Sequence, residues 1–423
     1  MKKIFIYQVL PRFWENGKFS DWKPESFEYV RSLGADHIWF TGVIRHATGE
    51  SFVKGVPGCP YSISNYYDVN PYLADNKEKR MDEFDQLLKR IHNSGLKAII
   101  DFVPNHIACN YTDSHGGIPH FDYCDYDWTD TLKIDYSRRE TWDAMLSILM
   151  FWAARGVDGF RCDMVELVPV EFFGWVIGRL KEKYPDLTFV AEVYEKGNYY
   201  RYLQDGGFDL LYDKSGIYDT LHGIICNAAS AEGITRNWQS LGGMQPRMLN
   251  FLENHDEQRL ASPFFAGSPE KGYAALAAAA LFNDASFMLY AGQEVGENAS
   301  GSDNGRTSIF NHTHVDVLSR SEGNPVLRRY REILNHLAIP AFKSGKNWDL
   351  CYCNTYSDGF DPTRHFAFLR FDTESCWLVV CNFSDSHIAA DIRIPAEAKK
   401  ECHPDRDSIH IETGAWDAAI VRI

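Results

Sequence analysis

Eight short apolar runs, separated by stretches of helical periodicity, govern what this chain can fold into. The strand-like runs are Lys3–Gln8, His37–Thr41, Lys97–Val103, Val157–Asp163 and Leu187–Glu192, followed more weakly by Phe208–Tyr212, Arg247–Glu253 and Ser286–Tyr290. Helices are predicted over Glu25–Leu33, Met81–Asn93, Arg138–Arg155, Glu171–Tyr184 and the Ala-rich Tyr273–Phe282. In the second of these, Phe84, Leu87, Leu88 and Ile91 recur on one helical face. Gly34, Gly95, Gly156 and Pro185 stand where helices must stop. Strands that are apolar nearly throughout, each returned by a helix, belong to a parallel sheet covered on its outer side. Eight such units predict an α/β fold, a closed (β/α)8 TIM barrel. The alternative, an open doubly wound sheet, lacks a Gly-rich phosphate loop after its first strand.

Two stretches fall outside the repeat. Residues 107–133, rich in Asp, His, Gly and Tyr, are too long for a plain loop after the third strand and predict a small inserted domain. Beyond residue 339 short strands with turns take over, at Phe366–Phe371, Cys376–Asn382, Asp391–Ile394 and Ala418–Ile423. The expected division is a catalytic barrel over 1–106 and 134–338, the insert over 107–133, and a C-terminal antiparallel β-sandwich domain over 339–423. Cys351 and Cys353, two apart, are placed on one face of a strand.

Composition removes several classes of partner. The net charge of −15 and the lack of any basic run argue against nucleic acid. No segment is long and uncharged enough to span a bilayer, so no membrane partner is expected. Ten cysteines are scattered without zinc spacing or a compact framework. The apolar start is interrupted by Gln8, Pro11 and Arg12, reads as a strand and not a signal peptide, and implies a cytoplasmic location. Oligomeric state does not follow from the sequence.

In a (β/α)8 barrel the chemistry sits at the carboxyl ends of the strands. Here those ends read Asp101-Phe-Val-Pro-Asn105-His106, Gly159-Phe-Arg161-Cys-Asp163, Val190-Ala-Glu192 and Glu253-Asn-His255-Asp256. A lone carboxylate at a strand end is usually a cap or an ion pair. Several converging on one mouth repel one another, a cost that calls for a functional reason.

These four segments, in this order, resemble the four conserved regions of the α-amylase superfamily, glycoside hydrolase family 13. Tyr7–Phe13, Tyr61–Pro71 and Tyr290–Glu294 resemble further family segments, so the likeness runs over about residues 4–340. The resemblance implies a retaining glycoside hydrolase acting on α-linked glucans or malto-oligosaccharides through a covalent glycosyl-enzyme. Asp163 is then the nucleophile, Glu192 the general acid with a pKa raised by its carboxylate neighbours, and Asp256 the stabiliser of the transition state. Arg161 keeps Asp163 ionised, His106 and His255 bind sugar hydroxyls, and Tyr61 stacks on the sugar. Asp101 takes a supporting position beside Arg161. Asn105 matches a calcium ligand of the family, whose remaining oxygens would come from Asp113, Asp122, Asp125, Asp127 or Asp130; the chemistry itself needs no cofactor.

The chain departs from the family pattern where Glu166-Leu167 replaces the Lys-His found in many α-amylases, and where Ser62 follows Tyr61. The first departure motivates a second reading, an α-glucanotransferase using the same double displacement. A third, a non-catalytic carbohydrate-binding barrel, is opposed by the presence of all three carboxylates.

Overall fold

A computed structural model describes residues 2–55, 57–300, 305–306, 314–402 and 406–423. Eight parallel strands close into a barrel in which each strand neighbours the next in the chain and the last returns to the first. They are Phe5–Val9, His37–Phe40, Lys97–Phe102, Gly159–Cys162, Thr188–Ala191, Leu210–Tyr212, Met248–Asn250 and Ser286–Tyr290. All eight lie within one or two residues of the expected starts. The seventh stops at Asn250, earlier than the expected Glu253, so Glu253–Asp256 belongs to the loop beyond it. Glu253 is spent there on structure: it holds Arg259 at 3.0 Å and the Leu260 amide at 2.7 Å.

Strand period two decides what fills the barrel. Ile6, Trp39, Ile99, Val190, Leu210, Leu249 and Met288 pack together as an inner core, separate from the larger apolar layer between strands and helices. Gly159 completes this floor. A Cβ there would meet the Thr188 carbonyl oxygen at 2.6 Å and Ile99 Cγ1 at 3.2 Å, so only glycine fits. One step of two further along the same strands, the inward residues are Asp101, Arg161 and Glu192. The apolar floor therefore carries an ionic layer on top of it.

Two antiparallel excursions rise from the carboxyl ends. Ile44–His46 pairs with Ile63–Val69, and His106–Ala108 pairs with Thr131–Lys133 to tie off the stretch after the third strand. The first was not expected. C-terminal to the barrel, strands Lys346–Asp349, His365–Phe371, Cys376–Asn382 and Ala418–Arg422 form one antiparallel sheet, and Ile388–Arg393 pairs with Ser408–Thr413 in another. Cys351 and Cys353 are not in a strand. They lie in a single helical turn, Cys351–Asn354, started by Asp349 accepting the Cys351 amide at 2.7 Å. The side-chain cap outweighed the β-leaning composition of this segment.

Candidate active site

Arg161 is the hub of the ionic layer. It is fully buried, and its two terminal nitrogens reach two different carboxylates: Nη1 lies 2.6 Å from Asp163 and Nη2 2.6 Å from Glu192. Asp101 sits at 3.6 Å from Nη1, and its other oxygen accepts the Gly42 amide at 3.0 Å. The rings of Trp39, Tyr61 and Tyr212 surround the guanidinium at 5.3–5.5 Å. A cation this deeply buried survives only with partners, and the carboxylates supply them.

Backbone geometry aims the two carboxylates that Arg161 grips most closely. Met164, the residue after Asp163, takes a left-handed φ of 43°, uncommon for a side-chain-bearing residue. The turn directs its amide at Glu192 Oε2, 2.8 Å away. Tyr194 donates its hydroxyl to Glu192 Oε1 at 2.9 Å. Tyr194 is itself held by its backbone: Glu166 accepts the Tyr194 amide at 2.8 Å and the Asn198 side chain at 2.7 Å. Glu166 thus anchors the loop that follows the Glu192 strand.

Burial pushes the Glu192 carboxyl above its ordinary range, Arg161 opposes it, and the Asp163 charge adds to the rise. The expectation that neighbouring carboxylates would dominate this shift is corrected: desolvation is the larger cause. Burial likewise lifts Asp163 against the pull of Arg161 and of a hydrogen bond from Glu192, so the two acids titrate as one tightly coupled pair. Asp101 is pushed up to about 7 by burial, against Arg161 and the Gly42 amide.

Asp256 and His255 form the far wall. His255 Nε2 lies 3.0 Å from Asp256 and also meets the Tyr61 hydroxyl, while Nδ1 accepts from Gln8 Nε2 at 2.7 Å. Burial and the Arg161 charge hold this histidine well below its usual pKa, so it is neutral. With Gln8 on Nδ1, its proton sits on Nε2, facing Asp256. Asp256 keeps 35% of its side chain exposed. Burial and the Glu192 charge both push its carboxyl up, the first tempered by that exposure.

Asp101, Arg161, Asp163, Glu192, Tyr61, His255 and Asp256 therefore come together. His106 stands one step away, packed on Trp128 with ring centroids 5.2 Å apart, and burial lowers its pKa to about 4. Gln8, Trp39 and Tyr212 were missed as site residues. Gln8 carried a signal, being the lone polar residue of an apolar strand at an inward position. Among the described residues, Asp101 Oδ1, Arg161 Nε and Tyr212 Oη are buried without a hydrogen-bond partner. Such groups clustered under a cleft suit a hydroxyl-rich ligand or its water.

The donors around Asn105 do not fit calcium. Asn105 turns its Nδ2 to Asp125 at 2.8 Å, and the other Asp125 oxygen accepts the Lys133 ammonium at 2.8 Å. Asp113 is taken up by Tyr111 and by the backbone amide of His115. Among the described residues no cluster of three or more His, Cys, Asp or Glu is placed to hold a metal. A lysine and an amide nitrogen occupy the position where a hard cation needs oxygens.

The family profile "Alpha amylase, catalytic domain" matches residues 21–133, which include the third-strand segment ending in Asn105-His106. Over that segment the chain is similar to an α-amylase catalytic domain. An alpha-1,4-glucan:maltose-1-phosphate maltosyltransferase of Cereibacter sphaeroides is 27% identical over 241 residues, covering 49% of this chain and 39% of that protein. The Picrophilus torridus protein of the same name is 23% identical over 420 residues, 92% of this chain and 62% of its own length. The chain thus spans less than two thirds of these curated superfamily relatives. The α-amylase of Geobacillus thermoleovorans, solved in complex with acarbose, superposes with a TM-score of 0.77 at 17% identity, covering 99% of this chain and 98% of that one. That likeness shows a shared fold.

Proposed function

We propose that the chain is a retaining glycosidase that cleaves α-linked glucans or malto-oligosaccharides. The observation that carries this is the double grip of Arg161, which brings Asp163 and Glu192 to the two terminal nitrogens of one guanidinium. Asp163, beside the cation, is the member of the pair that ionises and attacks the anomeric carbon. Glu192, under the stronger upward pressure of a neighbouring negative charge, keeps its proton and passes it to the departing glycosidic oxygen. The products of this step are a glycosyl ester on Asp163 and an ionised Glu192. Glu192 then takes a proton from water, whose oxygen displaces Asp163 and restores both groups. Asp256 and the neutral His255 bind the hydroxyls of the reacting sugar, and Tyr61 offers it a ring face. Arg161 and Asp101 position the pair. Maltoheptaose tests the reading: shorter products should accumulate with retained anomeric configuration, and an untouched substrate at high enzyme concentration overturns it.

Transfer to a sugar acceptor is a second reading with its own support. Glu166 builds the loop bearing Tyr194 beside the acid, where water or an acceptor must approach. Products longer than maltoheptaose would favour transfer; shorter ones alone would favour hydrolysis.

Tyr194 should set the alkaline limb of activity. Its hydroxyl stabilises ionised Glu192 and so holds that pKa down. In Tyr194→Phe the carboxyl keeps its proton to higher pH. The alkaline limb of kcat/KM should move up by roughly half a unit to one unit; a downward shift would contradict the assignment.

No calcium requirement is proposed, because Lys133 supplies the positive charge beside Asp125. EDTA should leave both Tm and kcat unchanged. Lys133→Met should lower Tm, because it leaves the Asp125 carboxylate without its cation.

A further inference from the structure

On the outside of the barrel, helix Glu232–Ser240 faces the edge strand Lys346–Asp349 of the C-terminal sheet across a cavity of about 410 Å3. This lies within the range of small-ligand sites, roughly 300–1,000 Å3. It shares no residue with the candidate active site. Thr235, Trp238 and Gln239 line one wall at helical spacing, on one face of the helix. Asn347, Trp348 and Tyr352 form the other.

The chemistry of the lining is specific. Three aromatic side chains meet here, and Tyr352 is 63% exposed. Trp348 donates its indole N–H to the Tyr352 hydroxyl at 3.3 Å, which fixes the two rings relative to each other. The polar groups are amides and a hydroxyl. Asp349 is the one carboxylate in the lining, and it is occupied: it accepts the Thr235 hydroxyl and the Cys351 amide. No free charge is left to select an ion. Asn347 Nδ2 is buried and has no hydrogen-bond partner in the protein, a donor that costs stability unless a ligand accepts from it. Flat apolar faces next to neutral amide donors and acceptors match a pyranose, which shows C–H groups on its faces and hydroxyls around its rim. An acidic surface, net −15, disfavours the other ring-bearing polymer, nucleic acid.

We propose that this groove is a second, non-catalytic binding site for a neutral glycan chain. Trp348 and Tyr352 act as the platform, and Asn347 and Gln239 bind the hydroxyls. The choice of an α-glucan as that glycan rests on the activity proposed above.

Trp348→Ala and Tyr352→Ala test the proposal against wild type by two measurements. The first is retardation during native electrophoresis through gels containing amylopectin; the second is kcat/KM on maltoheptaose, which also reports correct folding. Each variant should bind amylopectin more weakly, on the order of tenfold, the loss expected from one aromatic face. Its KM on amylopectin should rise while kcat/KM on maltoheptaose stays at the wild-type value. Gln239→Ala, on an exposed helix position, should weaken retardation in the same direction. Equal retardation of all three variants and wild type overturns the second site. If wild type leaves maltoheptaose intact but is retarded more strongly than the variants, the catalytic reading falls and the groove stands. If wild type cleaves maltoheptaose and the variants are retarded like it, the groove alone falls.

Discussion

Asp163→Asn is expected to lower kcat on maltoheptaose by on the order of 10⁴-fold or more, while binding of the substrate remains close to wild type. The amide is isosteric with the carboxylate, so the shape of the cleft is kept. What it loses is the anionic oxygen that forms the ester to the anomeric carbon. Stability should change little, because Arg161 retains Glu192 at 2.6 Å and Asp101 at 3.6 Å. That separates a chemical loss from a folding loss. Glu192→Gln should behave differently across substrates. It removes the proton donor, so cleavage of a natural glycosidic bond should collapse while a substrate with an activated leaving group keeps part of its first-step rate. Isothermal calorimetry for binding, with single-turnover kinetics for the chemical step, reads both effects. If the Asp163→Asn enzyme turned over at the wild-type rate, the nucleophile would have to be sought elsewhere.

Much of this was legible in the sequence because period and punctuation are local properties. The inward parity of Ile99 and Asp101, of Gly159, Arg161 and Asp163, and of Val190 and Glu192 follows from strand spacing alone, and the structure keeps it. What stayed hidden depended on long-range partners. Gln8 reads as a polar interruption until the barrel closes and brings it to His255, 247 positions away. Glu166 reads as a lost lysine until the loop after the fifth strand folds back onto it. The surroundings of Asn105 stayed hidden for a similar reason: the aspartates were visible in the sequence, but Lys133 reaching Asp125 across the hairpin was not. Cys351 and Cys353 were misplaced because a single capping carboxylate, Asp349, decided between strand and helix.

Arg161 should be the most sensitive position for stability. Arg161→Met leaves Asp101, Asp163 and Glu192 buried without their shared cation, and breaking a buried ion pair from one side costs about 3–5 kcal/mol. The pH dependence of the deficit identifies its cause. Burial already raises the folded-state pKa of all three acids, and Arg161 is what opposes the rise. Without it, those pKa values climb further above their unfolded values. A raised acid contributes its stability below the unfolded pKa, near 4, and loses it as pH rises through the folded pKa. The variant should therefore lie closest to wild type near pH 4 to 5, where protons neutralise the carboxylates, and fall furthest behind at pH 8. Arg161→Lys keeps one charge but offers a single nitrogen, which cannot grip Asp163 and Glu192 separately. It should recover most of the stability and little of the turnover. Denaturant unfolding of the three proteins at pH 5 and pH 8 measures this. A deficit of the same size at both pH values would mean that lost packing against Trp39, Tyr61 and Tyr212, and not unpaired charge, explains the effect.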